Sequence, residues 1–571
     1  MKKTNLHIVI KFIFLFALSS CLYGERLPLF FEGEKELSEH ELYSAINLEK
    51  PYFYEFYKDE PEVDVKSIAL LTQVVKNYYR TRGFYQAEVS YEEREKSLFI
   101  SIIEHLPMRI KDIQITSKLE IAAILPLKKN DLFDAEAFIN SKKEIKLLYS
   151  KQHYCNISLD AKAYVDTKTN SATLSYKVIP NQLCYFNNIE VNTSKNIDAD
   201  VAKSLLYFEE GDLFNLENIK KSYTNIYAYD GVSKALIETD IDNNASVNVK
   251  LLVDENEKPI RFLVGFGISS DEGLMGQLSV RHGNFYGNLQ SLGLETRVTE
   301  IKQTITTSFN KPLLDKDAVG VEVSFENEFF DGFTEYRLVV SPYLTQRYMP
   351  HSFKESLVID RSSTYDSDDL IFFPEGNLFI ISPKLEWSYD IRDSLLDPKK
   401  GYYLNSNAMG SIKSSVSDAS YAKIKLNGAY LYPLKTSTLG AKVSFGALRT
   451  FDGEIPASYR FFAGGMHSNR GYVYRDLGPK NSDGDPSGFD SIVEATLEYR
   501  FSLYGNFRAV AFSDNTFVGN SYTPDYERGY HSAGVGLRYL SPIGPIAIDV
   551  GFDLSNPTKQ YAFHFHIGEL F

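Results

Sequence analysis

The chain has 571 residues, enough for several domains, with 24% charged residues and a mean hydropathy of -0.24. Those values exclude a bundle of membrane-spanning helices, and a formal net charge of -14 argues against a nucleic-acid-binding surface, which needs a basic footprint. The aromatic content is lopsided, 39 Tyr and 39 Phe against 1 Trp, which suits the aromatic girdles of a membrane barrel and also some soluble all-β proteins.

At the N-terminus the basic Met1-Lys2-Lys3 precedes an apolar stretch from Phe12 to Leu18 and the small pair Ser19-Ser20. This pattern predicts a secretory signal peptide over residues 1–24, with cleavage near residues 21 to 25. Leu18-Ser19-Ser20-Cys21 also resembles a lipoprotein cleavage box that leaves Cys21 acylated. No other apolar run approaches the roughly 18 residues of a spanning helix, so a membrane is crossed by strands or not at all. The other two cysteines are Cys155 and Cys184. An oxidising compartment permits a bond between them, and their spacing leaves open whether the Cα atoms come within range.

From residue 25 to 257 helical and strand patterns alternate. Ile68, Leu71, Val75 and Tyr78 follow helical spacing; Ala87, Val89 and Tyr91 alternate as a strand, and Leu98 to Ile103 forms another. A second unit starts with the strand Ile113-Gln114-Ile115. It continues through Asp131-Leu132-Phe133-Asp134 into a helix carrying Phe138, Ile145 and Leu148, then strands near Ile157 to Tyr164 and Ala172 to Val178. A third opens at Ile189-Glu190-Val191, passes Asp212-Leu213-Phe214-Asn215 into a helix with Leu216, Ile219, Tyr223 and Ile226, and ends in strands near Lys234 to Glu238 and Val247 to Val253. The D-L-F-[DN] element thus recurs at a period near 80, with Asp134 and Asn215 as expected N-caps. This predicts a repeated strand–helix–helix–strand–strand module, over 25–107, 108–180 and 181–257, with the first copy the most divergent.

At Lys258-Pro259 the pattern changes to strand after strand. Leu292, Leu294, Thr296 and Val298 alternate with Gly293, Glu295 and Arg297. Leu385, Trp387, Tyr389 and Ile391 alternate with Lys384, Glu386, Ser388 and Asp390, and Val493 to Phe501 behaves likewise with Glu494, Glu498 and Arg500 on the polar side. One apolar and one charged face is the period of a barrel with lipid outside and water within. A soluble sandwich gives the same local pattern, but residues 258–571 have room for about 16 strands, large for one sandwich. The last segment sets Tyr561, Phe563, Phe565 and Ile567 against Ala562, His564, His566 and Gly568, and ends at Phe571. In a soluble protein such an apolar edge invites aggregation. His564 and His566 share a face; without further ligands they read as polar lining rather than a metal site.

Between two strand patterns lies Arg460 to Tyr472, R-F-F-A-G-G-M-H-S-N-R-G-Y, which is Gly-rich but too aromatic for a linker. It resembles the sixth extracellular loop of the BamA/TamA superfamily of outer-membrane assembly and translocation proteins, whose Arg-Gly-aromatic tripeptide folds back into the barrel lumen; here that is Arg470-Gly471-Tyr472. Further segments resemble the same family: Tyr389-Asp390-Ile391-Arg392-Asp393 with Asp397-Pro398 and Gly401-Tyr402; Ala511-Phe512-Ser513-Asp514; and Gly534 to Tyr539 followed by Ser541 to Ile546 and Asp549. The F-x-D strand departs from the family in carrying Thr516 two residues after the Asp. The terminal aromatic strand resembles the sorting signal of bacterial outer-membrane barrels, and the N-terminal repeats resemble POTRA modules.

The resemblance implies a membrane β-barrel of about 16 antiparallel strands preceded by three periplasmic POTRA domains, in the Gram-negative outer membrane. It implies that Arg470 meets Glu498 and Asp514 in the lumen. Glu498 lies on the polar side of its strand, whereas around Asp514 the alternation is unclear, because Phe512 shares its parity. The implied activity is insertion or export of unfolded outer-membrane protein clients such as autotransporters. A lateral seam between the first strand, with Gly265 and Gly267, and the last, with Phe565, Gly568 and Phe571, would serve as the template, because glycine weakens pairing. A count of three modules resembles the TamA branch and implies an inner-membrane-anchored partner similar to TamB. Two-partner secretion, which goes with two modules, and a passive porin or receptor are the alternatives. No G-x-S-x-G, H-E-x-x-H or P-loop occurs, so neither an enzyme nor a cofactor is expected.

Overall fold

The computed structural model describes residues 26–51, 59–242, 245–314, 317–371, 373–395, 397–434, 437–504, 506–541 and 544–567. The signal peptide, Cys21, Gly568 and Phe571 lie outside the described residues. The chain gathers into two compact units, one running to Asn187 with 210–217 and 240–248, the other formed by 188–209, 218–239 and 249–571. No helix among the described residues is long and apolar enough to cross a membrane.

In the first unit, the first module contains β1 (Arg26–Glu32), α1 (Glu39–Ala45), β2 (Glu62–Asp64), α2 (Ile68–Thr81), β3 (Glu88–Arg94) and β4 (Ser97–Ile103), with sheet order β2-β1-β4-β3. α1 starts in a capping box: Glu41 N donates to Ser38 Oγ, and Ser38 N donates to Glu41 Oε2 at 2.9 Å. β1 and α1 were absent from the sequence expectation, although S-x-x-E at 38–41 signals the helix. On α2 the buried face is Ile68, Thr72, Val75 and Tyr79, one position round from the expected Leu71 and Tyr78, which are half-buried. These residues pack on Leu29, Phe31, Leu98, Ile100 and Ile102 of the sheet. Beneath them Glu104 is a buried carboxylate with every need met, accepting from Lys35 N at 2.8 Å, Glu36 N at 3.1 Å and the Tyr79 hydroxyl at 3.0 Å. Burial, together with that carboxylate, raises the pKa of Tyr79.

The second module is β5 (Arg109–Thr116), α3 (Ala135–Lys151), β6 (Ile157–Asp166) and β7 (Ser171–Pro180), in order β5-β7-β6. Asp134 caps α3 as expected, its Oδ1 accepting from Ala137 N at 2.8 Å. The first helix of the expected pattern shrinks here to a single 3-10 turn, Ala122–Ile124. Cys155 and Cys184 are disulfide-bonded with Cα atoms 5.7 Å apart. The third module follows the repeat in full: β8 (Tyr185–Thr193), α4 (Ala199–Ser204), α5 (Leu216–Tyr227), β9 (Val232–Ile241) and β10 (Ser246–Glu255), in order β8-β10-β9. Asn215 Oδ1 accepts from Glu217 N at 2.9 Å at the start of α5.

The second unit is dominated by one antiparallel sheet of sixteen strands in sequence order, from β11 (Ile260–Ser269) and β12 (Gly273–His282) to β26 (Tyr561–Ile567). The strand-period reading holds on both faces. Leu294, Leu385, Leu497 and Tyr499 point outward and are exposed, whereas Glu498 is buried inside. Most connections at either end are short. The exception is 453–490, the sixth connection at the end of the sheet where β11 turns into β12, between β21 (Ser437–Asp452) and β22 (Ser491–Tyr504). It turns inward: Phe461 and Phe489 exchange backbone bonds at 2.9 Å, and Tyr459, Phe461, Ala463, Leu477 and Phe489 form a core against Ile380, Tyr421, Leu448 and Ile492 of the wall.

Two outcomes follow from this architecture. Residues 25–257 expressed alone are expected to be soluble with a mixed α/β circular dichroism spectrum and 258–571 to require detergent; a monodisperse, detergent-free C-terminal half would exclude the membrane barrel. Within 25–257, the disulfide closes a loop with a sequence separation of 29. Its removal by Cys155→Ser with Cys184→Ser is expected to cost about 3–4 kcal/mol, read as a lower denaturant midpoint that reductant does not lower further.

Candidate functional site: an arginine lock and an unzipped seam

The site is built by four neighbouring strands and the inward connection. Glu498 stands on β22, Phe512 and Asp514 on β23 (Phe507–Gly519), and Asp549 on β25 (Gly544–Asp553), which pairs with β24 (Gly529–Ser541). Their inward parity converges on Arg470, which is 2% exposed and among the largest fully buried side chains. Its guanidinium forks onto Asp514, with Nε to Oδ2 at 2.8 Å and Nη2 to Oδ1 at 3.0 Å, while its backbone N donates to the same Oδ2 at 3.1 Å. Nη1 reaches Glu498 Oε2 at 2.9 Å and Asp549 Oδ2 at 3.4 Å. Such bidentate geometry is available to Arg and not to Lys.

Three carboxylates around one cation would leave excess negative charge, and the walls correct it. Arg500 Nε donates to Glu498 Oε1 at 2.6 Å, and Arg538 forks onto Asp549 at 2.6 and 2.8 Å. The cluster is therefore three guanidinia against three carboxylates, neutral in sum, which is what makes burial of six charges tolerable. Phe512 explains the parity puzzle of its strand. It faces inward with Asp514, and its ring lies 3.4 Å from Arg470 Cζ, a cation–π contact. Asn469, which sequence reasoning passed over, is fully buried and fully used. It donates to Tyr530 O at 3.1 Å and Thr516 Oγ1 at 3.3 Å and accepts from Ser532 Oγ at 2.6 Å and Gly471 N at 3.2 Å. Thr516, the departure from the family pattern, thus meets the loop. Tyr472 packs edge-on against Tyr530 at 5.7 Å.

The loop backbone lies so close to the wall that only glycine fits opposite. A Cβ on Gly551 of β25 would come within 2.1 Å of Arg470 O, and one on Gly471 within 2.6 Å of Ser532 Cβ. The other end of the network touches the last strand, where His564 Nε2 lies 3.1 Å from Arg470 O. Beside the loop the lumen keeps a polar cavity of about 430 Å³ that includes Lys423, Lys425, Arg460 and Glu494 in its lining.

The seam residues are placed differently from the lock. Gly265 and Gly267 of β11 pair with Gln277 and Met275 of β12, and β11 runs beside β26. Phe565 meets Ser270: Ser270 N donates to Phe565 O at 3.0 Å, and Phe565 N donates to Ser270 Oγ at 3.3 Å. No ladder joins β11 and β26 among the described residues. By contrast β25 and β26 form a ladder from Ile546↔Ile567 to Phe552↔Tyr561.

The Omp85 superfamily domain model matches residues 284–571, half of the chain. The chain belongs to the Omp85 superfamily. Similarity to relatives extends beyond that domain. BamA of Nitratidesulfovibrio vulgaris, an outer membrane protein assembly factor, is 22% identical over 595 residues, covering 96% of this chain and 73% of that protein. BamA of Neisseria meningitidis serogroup B is 20% identical, covering 95% and 77%. The crystal structure of Haemophilus ducreyi BamA lacking POTRA domains 1–3 superposes with a TM-score of 0.56 at 18% identity over 81% of this chain and 99% of that one, a likeness of fold. Against this Omp85 frame, the N-terminal α+β modules resemble POTRA domains.

Arg470→Ala leaves the three carboxylates with two guanidinia. Breaking a buried pair costs about 3–5 kcal/mol, so the 464–476 segment is expected to become sensitive to external protease while the barrel still forms. Arg470→Lys should fall between, and Gly551→Ala should expose the same segment with every charge in place. Protection at the wild-type level in Arg470→Ala and in Glu498→Gln with Asp514→Asn would reject the lock.

Proposed function

We propose that this Omp85 protein assembles or exports other outer-membrane β-proteins by strand pairing at the β11–β26 seam. The observation that carries the reading is the seam itself. Every other neighbouring pair in the sheet forms a ladder, whereas β11 and β26 share none among the described residues. In a bilayer an unpaired backbone group costs several kcal/mol, so an edge left unpaired in a barrel is costly unless its groups are offered to an incoming strand. Strand addition uses such an edge directly. β11 also presents Phe262, Val264 and Phe266 outward and strongly exposed, an apolar stripe suited to lipid or a client's own apolar face.

On this reading the clients are unfolded outer-membrane proteins, as the names of the BamA relatives also suggest, and include autotransporters. The membrane is the Gram-negative outer membrane, and the POTRA-like modules stand in the periplasm, where sheet edges such as β6 can hold extended clients. The TamA-branch expectation, with an inner-membrane-anchored partner similar to TamB, rests on the count of three modules; a crosslinking pulldown from envelopes that recovers no such partner would remove it.

The antiparallel register set by Ser270 and Phe565 brings Ile268 alongside Ile567. In an Ile268→Cys, Ile567→Cys variant in liposomes, oxidation is expected to abolish assembly of a β-barrel client and reduction to restore it. Assembly that continues through the locked seam would exclude lateral opening and leave a pore-type route.

A further inference from the structure

His564 does something that neither the lock nor the strand-pairing reading requires. The residue is 1% exposed and its ring touches two other elements at once. Nε2 lies 3.1 Å from Arg470 O on the loop, and Nδ1 lies 3.3 Å from Ser270 Oγ and 3.4 Å from Asp271 Oδ1 on the β11–β12 turn. Asp271 closes the circuit: its Oδ2 accepts from Met466 N of the same loop at 2.9 Å. A carbonyl only accepts, so Nε2 carries the proton toward Arg470. Nδ1 then accepts from the Ser270 hydroxyl or, when protonated as well, donates to Asp271; in either state the ring bridges loop and hairpin.

We infer that His564 and Asp271 form a latch that couples seating of the Arg470 loop to closure of the β11–β26 seam. Resting on the lateral-opening reading, this adds its control. The two edges share no ladder among the described residues, so side chains at the end of the seam help to join them, and both of these side chains hold the loop at their other end. Withdrawing the loop removes the acceptor of His564 Nε2 and the donor to Asp271 Oδ2 together. Parting the strands separates His564 from Asp271 and leaves each held by the loop alone. Each event therefore weakens the restraint on the other. The pair are positioning residues: they act on a client only through the seam.

The test uses full-length protein in liposomes without client and reads two things, the crosslinked fraction of Ile268→Cys with Ile567→Cys and protease protection of the 464–476 segment. His564→Ala and Asp271→Ala are each expected to raise the open-to-closed ratio of the seam about tenfold, the worth of one such hydrogen bond, and to expose the loop although neither residue lies on it. Asp271→Asn is expected to restore both, because an amide can accept from Met466 N and donate to His564 Nδ1. Wild-type crosslinking and protection in both alanine variants would overturn the latch, and so would a seam that loosens while the loop stays protected. Should an alanine variant fail to fold, judged by heat-modifiable migration, His564→Gln serves instead. It keeps a donor for Arg470 O and drops the Asp271 contact, so the seam should loosen and the loop become more exposed than in the wild type, though less than in His564→Ala; an unchanged seam would overturn the proposal. Because no client is present, these readouts stand apart from assembly activity, whose loss in an oxidised seam tests the strand-pairing reading separately.

Discussion

A guanidinium removed from water is the constraint on which the C-terminal half depends. Arg470 is as buried as a core leucine, and nothing short of a full set of acceptors makes that tolerable. Three separate strands supply them, so the positions of β22, β23 and β25 around the loop are mutually fixed: a slip of one residue in any of them would turn its carboxylate outward. The compensation by Arg500 and Arg538 shows the same logic at the next remove, because each acceptor drawn in toward Arg470 needs its own counter-charge.

The lock and the seam are opposite solutions to one problem. In the lock every polar group of Arg470 and Asn469 finds a partner, which rigidifies the loop against the wall. At the seam β11 and β26 share no ladder among the described residues, and side chains at its end join the edges. Rigidity on one side of the last strands and looseness on the other places the boundary between them at β26, whose His564 belongs to both.

Much of this was legible in the residues. Period-two alternation marked the barrel strands because water and lipid impose it on every strand alike, and the repeated D-L-F-[DN] with its caps marked two of the three modules. Glu498 could be assigned inward by parity alone. Asp514 could not, since an inward Phe512 looks like a lipid-facing residue until the cation it stacks on is known. Asp549 was visible only as part of a motif, and Asn469 not at all: an Asn in a Gly-rich loop is ordinary, and three of its four bonds come from strands far along the chain. The first module was half missed because β1 and α1 are short and their pairing is non-local. The seam register was missed for a simpler reason. Glycines suggest where pairing is weak, but the neighbour across a barrel closure is set by the whole circuit of strands, and it brought Phe565 to Ser270.

The chain order of the lock has a consequence for how the molecule is made. Every partner of Arg470, from Glu498 through Asp514 and Asp549 to His564, follows it in the sequence. A chain that has added strands only as far as β21 can already seat the start of the loop on Tyr421 and Leu448 but holds Arg470 with none of its acceptors. That guanidinium can leave water only after the last strands have arrived, so its burial marks the completion of the barrel.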